Sequence, residues 1–230
     1  FERRRNDYLP VQGTSGTRTS TPIMTASAAA TSAASAGVPP VAQPLAIVIH
    51  GTWAAGYTWW RSDPVVNFWS YVHSDWPHLY AGATPFSWSG ANNHAARVQG
   101  AKDLIAWVKQ QLYSELDIIA HSHGGNVCFL ASRELKIRKL ITLGTPIRTE
   151  YLPDLRNIQV LHNVFSEADH IQTPSGTFPS RRGEGRTLGD SEKVINHWAA
   201  DNGHGAAPGH GELHEGLTWD SSGPRALIQP

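Results

Sequence analysis

Short unbroken apolar runs, rather than alternating ones, mark the strands of this chain. Leu45–His50 (LAIVIH), Leu116–Ala120 (LDIIA) and Leu140–Leu143 are of this kind, and Ile158–Phe165 reads as a further strand. Strands that are apolar on both faces belong to parallel sheets covered on both sides by helices. Helical spacing appears between them. Asn93 to Leu112 carries Ala96, Val98, Ala101, Leu104, Ile105 and Val108 on one stripe. Asp63-Pro64 predicts a helix through about Val72, with Asp63 as N-cap and Pro64 at the first position. His123 to about Leu135 reads as a helix, Leu79–Trp88 as a strand, Lys193–Trp198 as the last strand and Trp219–Ile228 as a closing helix. Strands alternating with helices predict the α/β class, a compact doubly wound and mostly parallel sheet flanked by helices.

Composition sets the front of the chain apart. Residues 1–44 run from FERRRNDYLP through a Thr/Ser/Ala/Gly stretch to Pro39, Pro40 and Pro44. Such a stretch buries too little apolar surface to offset its chain entropy, so a linker or flexible N-terminal tail is expected, with the folded domain over 45–230. The start at Phe1 and this linker-like front are what a piece of a longer protein would show. Lys plus Arg and Asp plus Glu balance at 19 each. That neutrality gives no electrostatic reason to expect nucleic acid as a partner. Cys128, the one cysteine, has no internal partner and reads as a small packed hydrophobe. No apolar run reaches transmembrane length.

The chemistry centres on Ala120-His121-Ser122-His123-Gly124, at the junction of a predicted strand and a predicted helix. A serine in a sharp strand-to-helix turn, with small residues two positions either side, is the spacing of a nucleophile elbow. A serine hydroxyl needs a base within reach, and the base needs a carboxylate to fix its tautomer. Asp169, after the Ile158–Phe165 strand, is the preferred acid, ahead of Glu167 and Asp190. The base is expected from a late loop. His210, between Gly209 and Gly211, is preferred, with His214 and His204 as alternatives and His197 also in range. Oxyanion donors are expected at the backbone N–H groups of His123 and of Thr52, with Trp53 one residue away as the alternative. Gly51 lets that loop approach the substrate. Trp53, Trp59 and Trp60, with Tyr57, are candidates to line a substrate pocket or meet a lipid surface, and packing under the next helix is the competing reading. Arg97 reads as an anchor for the loop Trp88-Ser89-Gly90.

Taken together, IVIHGTW, the WSG loop before a long helix, AHSHGGN, LITLGTP, FSEADHI and GHGELH resemble the α/β-hydrolase superfamily over roughly residues 45–216. Within it the chain is similar to compact lidless bacterial lipases and to serine esterases related to GPI-inositol deacylase. The resemblance implies hydrolysis of carboxylic esters, phospholipid acyl chains among them, by Ser122, Asp169 and His210, with Thr52 and His123 as oxyanion donors. It implies no cofactor, no metal, and a small-molecule or lipid ester as partner, with transient contact to a membrane or micelle. The absence of a helical insertion between Leu143 and Asp169 predicts an open site. Two rivals stand beside it: a metal site built from His204, His210 and His214 with Glu212 and Glu215, and a non-catalytic module that keeps the fold. A lipase-type toxic effector domain of a longer secreted protein would share the same chemistry.

Overall fold

In the computed structural model, residues 42–173 and 185–229 are described. The expected tail falls outside them, except for its last residues. Gln43 and Pro44 already belong to the first strand, β1 (Gln43–Ile49). The other strands are β2 (Tyr113–His121), β3 (Ile137–Leu143), β4 (Ile158–Phe165) and β5 (Val194–Trp198). They form a parallel sheet in the order β1-β2-β3-β4-β5.

The helices divide between its faces because side chains alternate along each strand. Ile47, Ile49, Ile118, Ala120 and Leu140 pack with α2 (His94–Lys109) and α3 (His123–Ala131), through Leu104, Val108, Val127 and Phe129. Ala46, Val48, Ile119, Ile141 and Leu143 pack with α1 (Phe68–Asp75) and α4 (Gly216–Ser222), through Phe68, Val72 and Trp219. Cys128 lies buried in the first of these clusters, its thiol pushed upward by burial.

One bridge decides where the site lies. Leu79 pairs with Ala46 in parallel, and Tyr80 N–H donates to the Ala46 carbonyl at 2.7 Å. Ala46 already pairs with Asp117 of β2, so Leu79 sits on the other side of β1. From β1 the chain therefore crosses one face through α1 to Leu79, then returns across the opposite face through α2 to β2. The winding reverses beside β1, and such a reversal opens a crevice at the carboxyl ends of the flanking strands.

Three elements differ from the sequence expectations. The first helix starts at Phe68, not at Pro64. Asp63 caps a turn at Val65 N–H, whereas Asn67 and Ser70 form a reciprocal capping box that outcompetes it. The Leu79–Trp88 stretch is a single bridge followed by irregular chain, broken by Gly82 and Pro85. The closing helix is interrupted by Gly223 at φ 88°, which ends α4 and begins a 3₁₀ turn over Pro224–Leu227.

At the opposite edge, the starts of the strands surround a polar depression lined by Tyr113, Glu115, Lys136, Arg156 and Lys193. Below it Asp117, fully buried, is held by Arg138 in a two-point ion pair.

Leu104 is fully buried under the sheet. Leu104→Ala is expected to cost about 2–5 kcal/mol and Asn67→Ala about 1 kcal/mol in urea denaturation.

Candidate active site

The turn from β2 into α3 puts Ser122 at φ 55° and ψ −135°, a conformation that L-residues rarely adopt. Both peptides around it are held. Ser122 N–H donates to the Leu143 carbonyl at 2.8 Å, and the Ser122 carbonyl accepts from Thr145 Oγ1 at 2.9 Å. The loop after β1 runs so close that a Cβ on Gly51 would lie 2.6 Å from Ser122 Cβ, so only glycine fits there.

Asp169 is fully buried after β4. Its Oδ1 accepts from Ile171 N–H at 2.9 Å, and its Oδ2 lies 2.7 Å from His210 Nδ1. Gly144, at φ 58°, lets the end of β3 pass this pair. A Cβ there would come within 2.7 Å of Asp169 Oδ2 and 3.1 Å of His210 Nδ1. That close passage is the structural role of the LGTP motif. Arg186, which nothing in the sequence singles out, is buried beneath the Asp169 turn. It donates to the carbonyls of Ser166 (2.9 Å), Glu167 (3.1 Å) and Asp169 (2.9 Å). Glu167 and Asp190 are exposed, and His210 pairs with neither.

The loop after β1 is clamped from two sides. His50, buried, bonds the Gly51 carbonyl through Nδ1 (2.8 Å) and Ser87 Oγ through Nε2 (3.0 Å). Trp88 Nε1 donates to the His50 carbonyl at 2.8 Å, and Trp53 N–H donates to Gly90 at 2.9 Å. This is what the WSG loop does. It also removes Trp53 as an oxyanion donor, since its N–H is already used. The N–H groups of Thr52 and His123 make no backbone hydrogen bond among the described residues. Their side chains meet, Thr52 Oγ1 lying 3.3 Å from His123 Nδ1. Arg97 does not hold the WSG loop directly. It bonds Asn92 at 2.5 Å and lies over the Tyr151 ring.

Ser122 and His210 open onto one cavity of about 400 Å³, whose walls include Thr52, Trp53, Tyr57, Trp59, Ile171 and His214. Trp60 is not among them. It is buried against the His50 ring, and its indole N–H donates to Ala54. Trp53, Tyr57 and Ile171 are exposed at the mouth.

The other histidines separate clearly. His214 stacks on Trp59 with ring centroids 3.9 Å apart, His204 is exposed outside the cavity, and His197 pairs with His162 at 2.9 Å. Among the described residues no group of three or more His, Cys, Asp or Glu side chains is placed to hold a metal ion. Burial, reinforced by the Arg97 and Arg148 guanidinium groups, pushes His123 down to about 3. Burial pushes His214 down to about 4, and His121 lies well below its ordinary value from burial and from His214 and His210 beside it.

Comparison with solved structures follows this geometry. Aspergillus fumigatus lipase B superposes with a TM-score of 0.51 at 15% identity, over 77% of this chain and 51% of that one. The chain has the α/β-hydrolase fold. It spans about half the length of that lipase. A YdeN-like hydrolase from Pectobacterium atrosepticum matches at 12% identity and TM-score 0.42, over 82% of this chain and 94% of that one. An acetyl xylan esterase matches at 14% and 0.39, over 82% and 97%. No protein-family model and no curated protein matches the sequence.

Two outcomes follow from this geometry. Arg186→Leu should remove the Arg186 hydrogen bonds to the buried carbonyls of Ser166 and Asp169 and to that of Glu167, costing more than about 2 kcal/mol, and should lower activity by loosening the Asp169 turn. The buried histidines yield a second expectation. In the unfolded chain an imidazole titrates near ~6.5, so between there and about 4 the unfolded state binds more protons than the folded one. Stability is therefore untouched by these groups above that value and falls as the pH drops toward about 4, with His123 extending the loss further down. A urea midpoint that stays flat from pH 7 to 4 would contradict this.

Proposed function

We propose that the chain is a serine hydrolase of carboxylic esters that works through an acyl-enzyme. The observation that carries this reading is the 2.7 Å contact of His210 Nδ1 with buried Asp169, on the same cavity as a serine in the strained strand-to-helix turn. A carboxylate only accepts, so His210 Nδ1 carries the hydrogen and Nε2 keeps a free lone pair. Ser122 Oγ attacks the ester carbonyl carbon and passes its proton to His210 Nε2. The N–H groups of Thr52 and His123 receive the oxyanion. Collapse of the tetrahedral intermediate expels the alkoxide, which takes the proton from His210 and leaves the acyl group on Ser122. Water, deprotonated by His210, then attacks the acyl carbon and frees the acid and the serine. Asp169 holds the tautomer and stabilises the imidazolium.

His214 and His204 are set aside as bases by the same geometry. His214 has its ring against Trp59 and is disfavoured as a proton acceptor by burial, and His204 is outside the cavity. The cavity wall is mostly indole, phenol and aliphatic surface, which favours an apolar acyl group. Trp53, Tyr57 and Ile171, exposed at its mouth, suit contact with a micelle or bilayer surface. The fold shared with a lipase is consistent with this reading, and the substrate class rests on the cavity itself.

A fluorophosphonate probe is expected to label Ser122 stoichiometrically. Ser122→Ala should lower turnover of p-nitrophenyl esters at least ~10⁴-fold with cooperative unfolding retained. Across an acetate-to-palmitate series, Trp53→Ala and Tyr57→Ala should raise KM for long-chain micellar esters while sparing acetate. A probe adduct on another residue, or none, would remove Ser122 from the role.

A further inference from the structure

The loop that presents His210 is pinned to the core at Leu213, fully buried, but the histidine itself lies three residues before that anchor. Gly209 and Gly211 flank the histidine, which lies on no helix or strand and precedes only the short 3₁₀ turn Glu212–His214. Asp169 fixes one ring atom, and a ring held at one atom can still swing about that bond. Gly209 N–H donates to Glu212 Oε2 at 2.5 Å, and Glu212 Oε1 accepts from Asn202 Nδ2 at 3.0 Å, both within the chain after β5. A contact from a strand end adds to the Leu213 anchor and bears on the backbone of the histidine itself.

That contact is made by His121. Its Nε2 lies 2.9 Å from the carbonyl oxygen of His210, joining residues 89 positions apart. A carbonyl only accepts, so Nε2 of His121 carries the hydrogen and donates it. His121 is the last residue of β2 and the covalent neighbour of Ser122. Its ring is nearly buried, walled by Trp59 edge-on at 5.5 Å, by His214 at 4.7 Å and by the His210 ring at 4.6 Å. One strand end thus carries the serine and also grips the backbone of the histidine.

We propose that His121 is a positioning residue for His210, its Nε2–H fixing the loop carbonyl so that the imidazole keeps its register with Ser122. The proposal rests on the acyl-transfer reading of Ser122, Asp169 and His210. Loss of the contact acts on the chemical step, because reacting groups held less firmly spend less time in the productive geometry. His121 also forms part of the cavity wall, so the Gln variant, which keeps a polar side chain of similar reach there, separates positioning from a change in that wall.

His121→Leu is therefore expected to lower kcat about 10- to 100-fold. His121→Gln, whose amide nitrogen reaches the position of Nε2, should restore most of the rate. His121→Asn, one bond shorter, should not. A second readout does not depend on hydrolysis: the downfield proton resonance of His210 Nδ1–H in its bond to Asp169. It should stay sharp in the Gln variant and broaden or vanish in the Leu and Asn variants, including on a Ser122→Ala background. If the Leu variant fails to fold, the Gln and Asn pair decides by itself. Unchanged kcat and an unchanged resonance in the Leu or Asn variant would overturn the proposal. So would an equal loss of rate in all three with the resonance intact, the mark of packing alone. A wild-type protein that takes no fluorophosphonate and cleaves no ester would defeat the acyl-transfer reading instead, and the resonance would still report whether His121 holds His210.

Discussion

Ser122 occupies a backbone conformation that costs about 1–3 kcal/mol in an L-residue, and its surroundings hold it there. The peptide before it is tied to the end of β3, and the peptide after it to the Thr145 hydroxyl just beyond. β3 in turn is locked by β4, register by register, from Ile137 opposite Ile158 to Leu143 opposite Val164. The same stretch carries Gly144, which clears space for Asp169 and His210. Strain at the serine, passage of the strand end and placement of the Asp169–His210 pair are consequences of one ladder of parallel strands.

Around that ladder the site is built from neutral imidazoles. His50, His121, His123 and His214 are all shifted toward the uncharged form, in each case chiefly by burial. Each finds a role a neutral ring can fill: His50 bonds a loop carbonyl, His121 another, His123 a threonine hydroxyl, and His214 stacks on an indole. His210 is set apart from them by its bond to Asp169. Removing water from around the pair also strengthens the Asp169 interaction.

Much of this was legible in the chain because parallel strands buried on both faces write themselves as unbroken apolar runs. LAIVIH and Leu140–Leu143 therefore mark strands directly, whereas β4 carries Gln159, His162 and Asn163 among its apolar residues. The elbow was legible because its steric demand fixes residue sizes at Ala120 and Gly124. Asp169 was legible because it follows a strand end. The helix start was misplaced because Asp63-Pro64 and Asn67–Ser70 are both good caps, and only packing of Phe68 and Trp69 selects between them. Trp60 and Trp59 are adjacent and alike in sequence, yet one turns into the core and the other toward the cavity. Arg186 and His121 left no signal because the contacts they make here run to backbone carbonyls, which every residue possesses. Such contacts are a property of the path of the chain.

The polar depression at the starts of the strands has a practical consequence. Lys136 and Lys193 line it, Lys102 and Lys109 are exposed on α2, and the cavity over Ser122 has no lysine in its walls. Chemistry directed at primary amines would tether this protein by surfaces other than its mouth. Molecules fixed to a bead or an electrode in this way would keep the cavity walls free of the coupling reagent, with the indoles of Trp53 and Trp59 unmodified.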